Sequence, residues 1–231
     1  MKGITKKFAF FDFCDTLVGF QTADAFVDYV RLKNGNSHMR MIESFLEILH
    51  KSRIITVLNK LVPRLEVAKR IKLYQLKGFG IHELNTLSES FYSEMVKPGL
   101  IDIVLKDMKR LADDDYEICL VSAGYSIYLK YFADEYQIKH LISTEIAFNQ
   151  EGNTCLGTIS GRDCIRREKV SRLKSYLEDQ NVNYKESISY SDNITDLPLL
   201  LMAGKGVVIS KGSSQPWRHK YNFKEIIWNK N

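Results

Sequence analysis

Two periodicities divide the chain. Phe8-Ala9-Phe10-Phe11 is an unbroken apolar run of strand length, closed by Asp12, and it reads as a short strand buried on both faces. From 22 to about 95 the spacing is helical instead. Thr22 stands as an N-cap before Ala23, Phe26, Val27 and Val30. Ile42, Phe45, Leu46 and Leu49 share one helical face, and so do Ile54, Ile55, Leu58 and Leu61, up to Pro63. Val67, Ile71 and Tyr74 continue the pattern, and Ile81, Leu84, Leu87 and Phe91 supply its last helix.

After Pro98-Gly99, helices and short apolar strands alternate. A helix over 101–111 precedes a strand over 118–121, and a helix over 125–136 follows. Apolar runs at 146–148 and 156–159 flank Asn149-Gln150-Glu151-Gly152-Asn153, a hairpin signal. A helix over 169–178, a strand over 187–190, a helix over 197–202 and a strand over 206–209 complete the pattern. Such alternation predicts an α/β fold, a Rossmann-like parallel sheet flanked by helices. Residues 1–19 and 97–231 form its core, and 20–96 form an inserted, all-helical cap, too long to be a loop.

Composition narrows the class. The chain has 231 residues, 45% hydrophobic and 26% charged, which excludes a disordered chain. No apolar run approaches the roughly 18 residues of a membrane span. The run at 8–11 is too short for the centre of a signal peptide, so a cytoplasmic location is expected. Cys14, Cys119, Cys155 and Cys164 lack the spacing of a zinc site. The net charge of +5 is uneven. Lys51, Arg53, Lys60, Arg64, Lys69, Arg70, Lys72 and Lys77 face only Glu66, so this stretch carries +7 and the remainder −2. By default it is a solvated helix face, and it also suits an anionic substrate, or peripheral contact with an anionic membrane surface. Without interleaved aromatic residues it does not predict nucleic-acid binding.

Ligands of open α/β sheets gather at the carboxyl ends of the strands. There the chain places Asp12-Phe13-Cys14-Asp15-Thr16, then Ser122-Ala123-Gly124, then Ser191-Asp192-Asn193-Ile194-Thr195-Asp196. Asp12, Asp192 and Asp196 make an oxygen-rich pocket suited to Mg²⁺. Ser122 and the amides of Ala123 and Gly124, at a helix N-terminus, suit phosphate. Lys169 supplies a cation, with Arg166 and Arg167 as rivals. These are the parts of a phosphoryl-transfer site.

Four segments in order, Phe10 to Leu17, Leu120-Val121-Ser122, Lys169, and Tyr190 to Asp196, carry a resemblance to the haloacid dehalogenase-like hydrolases. The chain is similar to their helical-cap branch, which includes phosphoserine phosphatase, and more loosely to bacterial phosphatidylglycerophosphate phosphatases. The resemblance implies a phosphatase acting on a small phosphorylated metabolite or a phospholipid headgroup. Asp12 would be the nucleophile, Ser122 a phosphoryl ligand, and Lys169 a charge neutraliser. Asp192 would ligate Mg²⁺ with the backbone carbonyl of Cys14, and Asp196 would sit in or just behind that shell. One position departs. The family's acid-base Asp, two residues after the nucleophile, is Cys14 here, and Asp15 follows it. Either residue is a candidate for the proton-transfer role. The departure also leaves open phosphotransfer, other chemistry on the same fold, or a weakly active phosphate-binding protein.

Overall fold

β1 (Phe8–Phe11) is wholly buried and separates two apolar cores. Side chains of a strand alternate between faces. Phe8 and Phe10 stack on one face, with ring centroids 5.6 Å apart. Ala9 and Phe11 enter the other core, where Phe11 stacks on Tyr190 at 4.2 Å. These contacts come from a computed structural model, which describes residues 5–34 and 67–229. The helical periodicity at 42–61 and the basic positions 51–64 lie outside the described residues.

β1 is central in a seven-stranded sheet of order β4-β3-β2-β1-β5-β6-β7. The other strands are β2 (Glu117–Tyr125), β3 (His140–Phe148), β4 (Cys155–Ser160), β5 (Ile188–Ser191), β6 (Lys205–Lys211) and β7 (Lys224–Trp228). All pairings are parallel except the β3–β4 hairpin. The chain builds outward from β1 to β2 and β3, then returns to β5 on the other side. That reversal opens a crevice at the carboxyl ends of β2, β1 and β5.

α1 (Thr22–Asn34), α2 (Val67–Tyr74) and α3 (Ile81–Phe91) lie between β1 and β2 in sequence. α3 runs on through a π turn (Tyr92–Val96) and a 3₁₀ turn (Lys97–Gly99). α4 (Asp102–Asp113), α5 (Ser126–Glu135), α6 (Arg166–Tyr176) and α7 (Leu197–Met202) complete the helices. Phe26 of α1, Leu73 of α2, and Leu84 and Phe91 of α3 belong to the same apolar cluster as Phe11, Phe13 and Leu17. Phe26 meets Phe91 at 5.4 Å and Tyr128 of α5 at 5.0 Å. The inserted helices are therefore seated on the sheet domain by a continuous core. No helix among the described residues is long and apolar enough to cross a membrane.

Three local expectations are corrected. Thr22 is not the cap of α1: the Gln21 carbonyl accepts the first helical bond, from Ala25, and the Thr22 side chain turns into the core. β3 begins at His140, ahead of the apolar signal at 146, because backbone pairing with β2 carries Ser143 and Thr144 into the sheet. β7 was not expected at all. As a half-buried edge strand it needs little apolar patterning. Its Glu225 is a clasp, accepting from Ser210 (2.7 Å), Ser214 (2.7 Å) and the Gln215 amide (2.8 Å), and pairing with Arg218 at 2.7 Å.

Candidate active site

Asp12 follows β1 directly, and its N–H donates to the Tyr190 carbonyl at 3.0 Å. Its carboxylate is 6% exposed. Lys169 of α6 donates to Asp12 Oδ1 at 2.7 Å and to Asp196 Oδ2 at 2.5 Å. Ser191 also donates to Asp196 Oδ2, at 3.0 Å. Asp196 therefore serves chiefly to hold the lysine. Thr16 Oγ1 lies 3.4 Å from both Asp12 Oδ2 and Asp192 Oδ1, and it accepts the Asp192 N–H at 3.0 Å. Thr16 thus ties the loop after β1 to the loop after β5, a role its sequence position did not advertise.

The turn after Asp12 sorts Cys14 from Asp15. The Phe13 carbonyl accepts N–H groups from Thr16, Leu17 and Val18. Asp15 adopts φ 52°, a left-handed conformation that Asp tolerates better than most side chains. Its carboxylate accepts from Gln21 Nε2 at 2.5 Å. Cys14, and not Asp15, lines the cavity of about 410 Å³ with Asp12, Ala123, Lys169 and Asp192.

The Cys14 thiol ends a hydrogen-bonded chain. The Tyr125 N–H donates to the Tyr128 hydroxyl at 3.0 Å, which lies 2.8 Å from Thr22 Oγ1. Thr22 Oγ1 lies 3.1 Å from Cys14 Sγ, and the Thr22 N–H donates to the same sulfur at 3.4 Å. Tyr128 is fully buried, and Thr22 is the acceptor its proton can reach. The Thr22 proton then goes to sulfur. The sulfur also accepts the Thr22 N–H, and Cys14 lines the cavity.

Electrostatics mark the same group. Burial raises Asp12 to about 6 against the opposing pull of Lys169. Burial, then Asp12, Asp15 and Asp196, raises Asp192 to about 8. Burial works against the Lys169 charge, but Asp12 and Asp196 hold it above the usual lysine range. Burial, then Asp12, pushes the Cys14 thiol up to about 11. One lysine thus faces three acids, a negative excess that a divalent cation would relieve. Asp12 and Asp192 are hard oxygen donors, which fits Mg²⁺. No cluster of three His, Cys, Asp or Glu side chains in metal-holding arrangement occurs among the described residues, so such a site needs a backbone oxygen as well.

The expected phosphate loop is a strand bulge. Pairing jumps from Ser122 with Ser143 to Tyr125 with Thr144, and this loops out Ala123 and Gly124 before α5 begins. They therefore precede the helix instead of forming its first turn. Ser122 is fully buried and accepts the Gly124 N–H at 3.0 Å, so that amide is already engaged. Ala123 alone of the three lines the cavity. A Cβ at Gly124 would lie 2.6 Å from the Tyr128 hydroxyl, which requires glycine there. Lys69 of α2 reaches over the bulge, donating to the Ala123 carbonyl at 2.7 Å and to Asp163 at 2.6 Å. Charge counting singled out Lys69 but could not give its partner.

A mostly parallel sheet with a buried carboxylate at its switch point, held by a lysine and near a second carboxylate, has the layout of a class of α/β hydrolase. The chain belongs to the haloacid dehalogenase-like hydrolase family, whose pattern matches residues 9–201. It is 21% identical over 210 residues to a histidinol-phosphatase of Neisseria meningitidis serogroup C (strain 8013), spanning 89% of this chain and 90% of that protein. A protein of unknown function from Bordetella pertussis Tohama I superposes with a TM-score of 0.78 at 20% identity, covering 96% of this chain and 99% of the other. A substrate-bound phosphoserine phosphatase superposes with a TM-score of 0.64 at 16% identity, covering 96% and 93%.

Proposed function

We propose that the protein is a Mg²⁺-dependent phosphatase that hydrolyses a small phosphomonoester through an aspartyl-phosphate on Asp12. The observation that carries this reading is the Asp12 carboxylate, buried at a switch point with Lys169 on one oxygen and a cavity beside it. From the inserted segment, Gln21, Ala23, Asp24, Ala68 and Lys69 close this cavity and act as its cap. The similarity to proteins named as phosphatases of histidinol phosphate and phosphoserine supports the substrate class.

In the first half-reaction an Asp12 oxygen attacks phosphorus, and the bond from phosphorus to the leaving oxygen breaks. Lys169 offsets charge on the phosphoryl oxygens, Ala123 lines the cavity beside them, and Ser122 holds the bulge from behind through the Gly124 N–H. The leaving oxygen needs a proton, and Cys14, in the cavity wall, is the residue that donates it. In the second half-reaction water attacks phosphorus, the bond from phosphorus to the Asp12 oxygen breaks, the water's proton passes to solvent, and phosphate and the Asp12 carboxylate are released. Mg²⁺ would be held by Asp12, Asp192 and the Cys14 carbonyl, and would draw charge from the phosphoryl group. Asp196 keeps Lys169 in place, and Asp15, turned to Gln21, takes no direct part.

Turnover of p-nitrophenyl phosphate with and without Mg²⁺ tests the proposal. Activity that requires the metal and disappears in Asp12→Asn is the expected result. Full activity in excess chelator, or in Asp12→Asn, overturns it.

A further inference from the structure

A second cavity, of about 790 Å³, adjoins the first. Ile165, Arg166 and Thr195 line both. Its own walls add Arg70 of α2, with Arg162 and Arg167 beside the start of α6. Four arginines thus border one space. Two acids also line it, and each has a basic partner: Asp163 is buried against Lys69, and Glu168 lies 3.5 Å from Arg162. Among the described residues that line it, arginines outnumber acids four to two, while the first cavity is rich in carboxylates.

The backbone singles out the residue at the junction. Arg166 has φ 50°, a left-handed conformation that an arginine at the start of a helix has no local reason to adopt. Strained residues cluster where a side chain must be aimed at a ligand. Here the strain falls on a residue bordering both spaces.

Guanidinium groups match phosphate oxygens in planar, two-point contacts, and several together select a multiply charged anion. We propose that this arginine-lined cavity receives a second phosphate of the substrate, so that the preferred substrate is a small molecule bearing two phosphates. One is transferred to Asp12 and the other is held between Arg70, Arg162, Arg166 and Arg167. This rests on the phosphatase reading of the first cavity and adds to it the substrate class.

Flexible alkanediol bisphosphates of graded chain length test it, each paired with the alkyl monophosphate of equal length. Each competes against turnover of p-nitrophenyl phosphate, in the wild type and in Arg162→Gln/Arg167→Gln. In the wild type the best bisphosphate is expected to compete at least ~10-fold more tightly than its monophosphate. In the variant that ratio falls towards one. Equal inhibition by each pair in the wild type, or a preference that survives in the variant, overturns the proposal. If p-nitrophenyl phosphate is not hydrolysed, the phosphatase reading fails, and calorimetric titration of the bisphosphates decides the inference alone. Binding that the variant loses supports it, and no binding to the wild type overturns it.

Discussion

Lys69 and Asp163 meet at 2.6 Å, with side chains only 10% and 5% exposed. Lys69 comes from the inserted helices and Asp163 from the segment before α6. The same ammonium group reaches the Ala123 carbonyl and sits over the Tyr125 ring at 5.2 Å. Thr144 donates a further bond to Asp163, at 2.6 Å. One lysine therefore fastens α2 to both the bulge and the entry to α6.

Breaking such a pair leaves a buried charge without compensation, so Lys69→Met should cost about 3 kcal/mol of folding stability. Urea unfolding measures this. Adding Asp163→Asn should recover part of the loss, because the stranded carboxylate is then gone. A single variant as stable as wild type would mean that the pair does not fasten the cap.

Cys14 should make the second half-reaction slow. Its thiol, raised to about 11, takes back from solvent at neutral pH the proton it gave to the leaving group, and once protonated it cannot accept one from water. Phosphoenzyme should accumulate, visible by rapid acid quench. Cys14→Asp should speed turnover of an aryl phosphate by ~10-fold or more. If Cys14→Asp is no faster and Asp15→Asn is as damaging as Asp12→Asn, the proton-transfer role belongs to Asp15.

Metal binding should depend on pH. Protonated Asp192, raised to about 8, and Asp12, raised to about 6, are poor ligands. Mg²⁺ affinity should therefore rise with pH through this range and level off above it. Chelation should abolish turnover and Mg²⁺ restore it, while Asp192→Asn should weaken binding at every pH. Calorimetric titration across pH gives the curve, and a flat one contradicts the assignment.

The clasp on β7 sets an acid limit. Burial disfavours ionised Glu225, but Ser214, the Gln215 amide, Ser210 and Arg218 outweigh it and bring the carboxyl from 4.5 down to about 2. A lowered acid contributes stability that is complete above its unfolded value and lost as pH falls through its folded one. Glu225→Gln should cost about 2 kcal/mol at neutral pH, from loss of bonds to a charged acceptor. The difference from wild type should shrink as pH drops from 4.5 towards 2. Thermal unfolding across pH checks both.

Of the strands that carry chemistry, β1 was legible because it is wholly apolar, and β5 because it takes its place in the alternation of strands and helices. Phe8–Phe11 could be little else, and Asp12 and Asp192 follow from being the first acids after such strands. What escaped was set by partners distant in sequence. Thr16 reads as an ordinary loop residue until β5 brings Asp192 beside it. Thr22 reads as a cap until Tyr128 and Cys14 claim its hydroxyl. Lys69 and Lys72 read as members of a solvated basic face, yet they pair with Asp163 and Asp28. The positive φ of Arg166 has no signal in its neighbours. β7 was missed because an edge strand needs a neighbour more than a pattern.

The two donors that Thr22 offers to position 14 bear on how this site changes over generations. They satisfy a sulfur acceptor now, and they would satisfy a carboxylate equally well. Exchange between cysteine and aspartate here keeps the same hydrogen-bond partners, but it adds a fourth acid to the site. By contrast, loss of Thr22 or Tyr128 strands a buried polar partner in either state. The site thus permits its acid-base group to drift and return, while purifying selection is expected to fall on the hydroxyls behind it.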